Sequence, residues 1–150
     1  MKTILALDLG TKMGWAKIRG CDSSIFHGVE NLQPFPKGPR AHRFAAFQAW
    51  LERTPADVIV YEDIKRHAGT AAAHMWGGFE AILLAHCLRN GVETAWLGVG
   101  EIKKHATGKG NAGKDAVIAA MVARGFKPED DNDADALALL FAYLDKEDSE

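Results

Sequence analysis

The sequence predicts a mixed α/β domain: a five-stranded sheet, three antiparallel strands followed by two parallel ones, flanked by helices. Three observations point to it. Short apolar runs such as Ile4 to Leu9 and Asp57 to Ile64, rich in branched residues, have strand length rather than helix length. The first three such runs follow one another through short connections, as in an antiparallel meander. The later ones alternate with segments whose apolar residues recur at helical spacing. A chain of 150 residues without repeats or an internal linker suits one domain with a proper core, here taken as residues 1–150.

Ile4 to Leu9 reads as the first strand, turned by Gly10-Thr-Lys12 into a second at Met13 to Ile18. Ile25 to Leu32 is the third, interrupted by Gly28. The breaker-rich loop Gln33 to Pro39 leads to a helix at Ala41 to Leu51, where Phe44, Phe47 and Trp50 form a core-facing stripe. The fourth strand, Asp57 to Ile64, precedes the longest helix, Thr70 to Arg89, ended by Asn90-Gly91. Ala71, Met75, Phe79, Ile82 and His86 mark one face of that helix, with Met75, Trp76 and Phe79 as a candidate dimer face. Val92 to Val99 is the fifth strand. Short helices are expected at Glu101 to Ala106 and Lys114 to Arg124, with a final helix at Asn132 to Leu144 and a frayed acidic tail at 145–150.

A formal net charge of −2 means that the whole molecule does not advertise a nucleic-acid partner. The average hides an asymmetry: Lys103 to Lys114 is basic, while Glu129 to Asp135 is strongly acidic. Cys21 and Cys87 have neither metal-type spacing nor a disulfide framework and suit a reducing compartment. No apolar stretch approaches the roughly 20 residues of a membrane helix. The opening run is too short for a signal-peptide core and carries Asp8, so a soluble, cytoplasmic protein is expected.

Widely spaced acids carry the functional signal. Asp8 ends the first apolar run, Glu62 ends the run Val58-Ile-Val-Tyr, and Asp133 and Asp135 open the last helix. Carboxylates at strand ends and at a helix start can meet in space, where like charges are tolerated mainly with a cation between them. Hard oxygen donors suit Mg²⁺, with Mn²⁺ as a substitute, rather than zinc. Asp8 as a mere turn former fits poorly with its place after an apolar strand. At the end of the fourth strand Asp63 is the alternative to Glu62. Asp135 alone would read as an acid complementing the helix dipole. No histidine pair has zinc spacing.

The pieces Leu5-Ala-Leu-Asp-Leu-Gly-Thr-Lys-Met-Gly-Trp15, Val60-Tyr-Glu-Asp-Ile64, Gly100-Glu-Ile-Lys-Lys104, Gly108-Lys-Gly-Asn-Ala-Gly-Lys114 and Asp133-Ala-Asp-Ala-Leu-Ala138 carry a family resemblance. In this order and at about this spacing they resemble the RuvC-type Holliday-junction resolvases of the ribonuclease-H-like superfamily, over nearly the whole chain. The resemblance implies a ribonuclease-H-like fold and a metal-dependent, structure-selective endonuclease acting on branched DNA such as a four-way junction. It also implies two-metal hydrolysis of the phosphodiester and a homodimer. Asp8, Glu62 and Asp135 match the family's metal ligands, and Lys103 and Lys114 its basic residues near the scissile phosphate.

The family pattern places an acid three residues before Asp135, where this chain has Asn132. Asp131 shares a helix face with Asp135, whereas Asp133 points away by rotation, so Asn132 or Asp131 is the expected fourth contact. Where such resolvases often carry an aromatic wedge after the strand glutamate, this chain has Lys65, and Lys65-Arg66-His67 offers phosphate contacts instead. Lys12, Lys65, Arg66, Lys104 and Lys109 are the candidate nucleic-acid contacts. The stretch Asp8-Leu-Gly-Thr-Lys-Met-Gly14 also resembles YqgF-type nucleases that act on structured RNA. It resembles the phosphate loop of actin-like sugar kinases too, for which the chain is too short. Asn132 in place of an acid leaves room for a junction-binding module with little nuclease activity.

Overall fold

The protein is described here by a computed structural model covering residues 1–150. The elements in chain order are β1 (Ile4–Asp8), β2 (Lys12–Ile18), β3 (Ile25–Asn31), α1 (Ala41–Glu52), β4 (Val58–Asp63), α2 (Thr70–Asn90), β5 (Glu93–Gly98), α3 (Val99–Thr107), α4 (Lys114–Ala123) and α5 (Asp131–Ser149). One sheet holds all the strands in the order β3-β2-β1-β4-β5. β1 pairs antiparallel with β2 and β2 with β3, whereas β1–β4 and β4–β5 are parallel. The expected arrangement of three antiparallel strands followed by two parallel ones is thus present.

The sheet separates two cores, and strand periodicity decides which residue enters which. Ile4, Ala6, Val58, Val60 and Leu97 face α3, α4 and α5, where Leu137, Leu140 and Met121 meet them. Leu5, Leu7, Ile59 and Tyr61 face α1 and α2, packing on Phe47, Leu51, Phe79 and Leu83. Central strands buried on both faces read as continuous apolar runs, which is why β1 and β4 were legible.

Three sequence expectations change. Phe79 is fully buried, with its ring edge-on to Phe47 at 5.4 Å, so it cannot belong to a dimer face; Met75 and Trp76 also pack partly on that core. The buried side of α2 is completed by Leu83 and Cys87 rather than by Ile82, which is only partly covered. At the other end of the chain α5 does not stop at Leu144. A His105–Asp145 hydrogen bond and the Lys146–Glu101 ion pair tie the last turns of the helix, which runs to Ser149, to α3. No helix is long and apolar enough to cross a membrane.

Candidate active site

Asp8 ends β1, and one step beyond the paired Leu7 and Tyr61 stands Glu62 on the parallel neighbour β4. Side chains alternate along a strand, so Asp8 shares the face of Ile4 and Ala6, and Glu62 that of Val58 and Val60. Both carboxylates therefore point to the α5 side. Asp63 has the opposite parity, that of Ile59 and Tyr61, and turns away toward the α1–α2 side.

The third contribution comes from the start of α5. Asp130 is its N-cap, accepting the Asp133 backbone N–H at 2.9 Å. Asp131 and Asp135, four residues apart, share one face of the helix. Burial first, and then the negative charges of Asp135, Glu62, Asp131 and Asp130, hold the Asp8 carboxyl well above the usual range. Asp135 is pushed up to about 7, mainly by burial and then by Glu62 and Asp131. Burial raises Glu62 as well, while Lys103 pulls it back. The acids of β1, β4 and α5 thus lie within one another's field, at the C-terminal edge of the parallel strands.

Two of the expected lysines act on the same centre. Lys103 from α3 and Lys114 from α4 both draw the Asp135 pKa downward. The Lys114 Nζ lies 3.3 Å from Asp131 Oδ2, although most of its side chain is in water. Lys65 and Arg66 line a cleft of about 500 Å³ with Asp63, Ile64, Gly98 and Val99, beyond the ends of β4 and β5. Lys12 is exposed where β2 begins, and Lys104 and Lys109 are exposed on α3 and in the loop after it.

At the fourth position the two candidates separate. Asp131 raises the pKa of both Asp8 and Asp135. Asn132 instead directs its amide to Asp130 Oδ2 at 3.5 Å, and its backbone carbonyl lies against Gly14 of β2. Asp133 is fully buried on the far side of the helix, bonded to His27. Sequence reasoning missed two participants. The cap Asp130 was legible as an acid three residues before Asp133 at a helix start. No local signal links His27 to Asp133, 106 residues away.

By chemistry, clustered carboxylate oxygens that repel one another fit a hard divalent cation. As they stand, no three acidic, histidine or cysteine side chains gather closely enough to grip one ion. Burial and mutual repulsion raise the pKa of Asp8 and of Asp135, as expected where like charges crowd without a cation between them.

No family model matches the sequence. The crossover junction endodeoxyribonuclease RuvC of Paenarthrobacter aurescens (strain TC1) is 28% identical over 101 residues, a match covering 65% of this chain and only about half, 53%, of that protein. Among solved structures, Thermus thermophilus RuvC in complex with a Holliday junction substrate superposes with a TM-score of 0.79 at 21% identity, covering 96% of this chain and 93% of that one. The yeast mitochondrial Holliday junction resolvase gives 0.64 at 16% identity, covering 94% and 77%. The resemblance seen in the motifs extends to the whole architecture: the chain has the ribonuclease-H-like fold of the RuvC-type resolvases.

Proposed function

We propose that the protein is a divalent-metal-dependent, structure-selective DNA endonuclease that resolves Holliday junctions or other branched DNA. The observation that carries this reading is that Asp8, Glu62, Asp131 and Asp135 lie in a shared electrostatic field beside Lys103 and Lys114, on a fold shared with a junction-bound resolvase. Asp8, Glu62 and Asp135, with Asp131 as the fourth, would hold Mg²⁺ or Mn²⁺, which when bound supplies Lewis acidity toward water and phosphate. Lys103 and Lys114 offset negative charge that grows on phosphate oxygens during hydrolysis. Lys65 and Arg66, with Lys12, Lys104 and Lys109, hold the DNA backbone through salt-sensitive contacts.

The same reading makes the protein a homodimer, since a twofold assembly presents two equivalent sites to two strands. Supporting it, the side of α2 away from the core exposes Ala81, Leu84, Ala85 and Leu88, with Leu88 86% exposed, and Trp96 of neighbouring β5 is 61% exposed. Small and branched apolar residues on one open helix face need a cover.

A cleavage panel tests the reading: four-way junction, flap, duplex DNA and structured RNA, each with and without Mg²⁺. Preferential cutting of the junction, dependent on Mg²⁺, is expected. Preference for structured RNA would point to a YqgF-type activity. A second reading, a junction-binding module, draws on Asn132 and on the lack of a ready-made three-ligand cage. Tight junction binding without cleavage in either Mg²⁺ or Mn²⁺ would establish it.

A further inference from the structure

The first turn of α5 carries Asp131, and one turn on comes Asp135, yet the apolar anchoring of this helix begins only at Ala134. Something other than the core must set the pitch and rotation of residues 131–133. Besides the Lys114–Asp131 contact, made by a mostly exposed lysine, three contacts are available. Asp130 caps the turn through the Asp133 N–H at 2.9 Å. The Asn132 carbonyl rests against the backbone of Gly14. The third contact is made by the Asp133 side chain. Its carboxylate has no exposed surface and accepts from His27 Nδ1 at 2.8 and 3.0 Å and from the Glu129 backbone N–H at 2.8 Å.

His27 reaches this point from β3, where it pairs with Ala16 of β2. Its ring is itself held: Phe126 meets it edge-on at 5.6 Å and 85°, and Phe126 packs on Phe141 of α5. Because both short contacts involve Nδ1, that nitrogen carries the hydrogen and forks it between the two carboxylate oxygens. A buried carboxylate is costly, and an apolar side chain would fill the space at least as well for stability alone. What the polar pair adds is direction, since a forked hydrogen bond to a fixed ring allows one rotation of the helix start.

Resting on the nuclease reading, we infer that His27 is a positioning residue: through Asp133 it fixes the rotation of the α5 first turn, so that Asp131 and Asp135 face Asp8 and Glu62. The two residues act from opposite sides of the helix. Asp133 points to the β3 side, and 200° of rotation for every two residues aims its neighbours Asp131 and Asp135 the other way. His27 touches neither substrate nor metal. Its effect is that of an outer partner orienting the inner carboxylates, where loss commonly costs 10–100-fold in metal affinity or activity.

The test compares wild type with His27→Met, which keeps bulk beside Phe126 but removes the donor, and with His27→Gln, whose amide N–H can donate to Asp133. Mn²⁺ binding to the metal-free protein is followed by the electron paramagnetic resonance of free Mn²⁺, and junction cleavage is split into kcat and KM. Expected are a Mn²⁺ affinity about tenfold or more weaker in His27→Met, a lower kcat at unchanged KM, and recovery of most of both losses in His27→Gln. Where His27→Met does not fold, His27→Ala, which adds no bulk, gives the same comparison. Wild-type Mn²⁺ affinity in the folded donor-less variant overturns the inference, as does failure of His27→Gln to recover affinity. A wild type that cuts junctions and binds Mn²⁺ beside an equally competent His27→Met removes this inference alone. A wild type that does neither removes the nuclease reading, and this inference with it.

Discussion

Gly14 of β2 and Asn132 of α5 touch backbone to backbone: a β-carbon on Gly14 would lie 1.8 Å from the Asn132 carbonyl oxygen. Neither atom can rotate away, so any side chain at residue 14 must displace the start of α5. Gly14→Ala is expected to cost about 3 kcal/mol as overpacking against rigid backbone. It should also separate Asp131 and Asp135 from Asp8. A urea melt measures the first effect and junction cleavage the second; an unchanged melt would show that α5 yields freely there.

Asp8→Asn keeps the shape of the side chain and removes a buried negative charge crowded by Asp135, Glu62 and Asp131. Cleavage of a four-way junction should be abolished while binding persists. The metal-free variant should gain about 1 kcal/mol of stability, the usual exchange at a site that stores repulsion for function. Full cleavage by the variant would exclude Asp8 from the chemistry.

Stability of the metal-free protein should fall as pH rises. Asp135 is held at about 7 in the fold, above the ordinary carboxylate value near 4. A raised folded pKa means that the fold binds the proton more tightly than the unfolded chain does. Its stabilisation is complete below the ordinary value and is lost as pH climbs through about 7. Asp8 and Glu62, both raised, work in the same direction. Urea midpoints between pH 5 and pH 8 should decline in the wild type, more weakly in Asp135→Asn, and a flat wild-type profile would contradict the crowding.

Lys103 acts on Glu62 and Asp135 together, drawing both pKa values downward. Lys103→Met should lower kcat by about 10²-fold, the scale for losing one preorganised charge-stabilising group. KM for the junction should change little. A matching rise in KM would reassign Lys103 to ground-state DNA binding.

Leu88, 86% exposed on α2, lies on the face proposed for self-association. Leu88→Glu should convert a dimer to a monomer in light scattering with little change in the melting temperature of the fold. A dimer that survives this variant together with Leu84→Glu would place the twofold contact elsewhere.

The sequence alone determined the sheet and half of the site. Alternation along short apolar strands is a local property, and it aims Asp8 and Glu62 at one face whatever the rest of the chain does. The helical repeat likewise joins Asp131 to Asp135 and turns Asp133 away. Only tertiary packing decided which neighbour each face would meet. It buried Phe79 against Phe47 and thereby took it from any dimer face. It tied the last turns of α5, which runs to Ser149, to partners on α3. It also bonded Asp133 to His27, a contact between distant residues that no periodicity encodes, because periodicity records the direction of a side chain and only packing supplies what it points at.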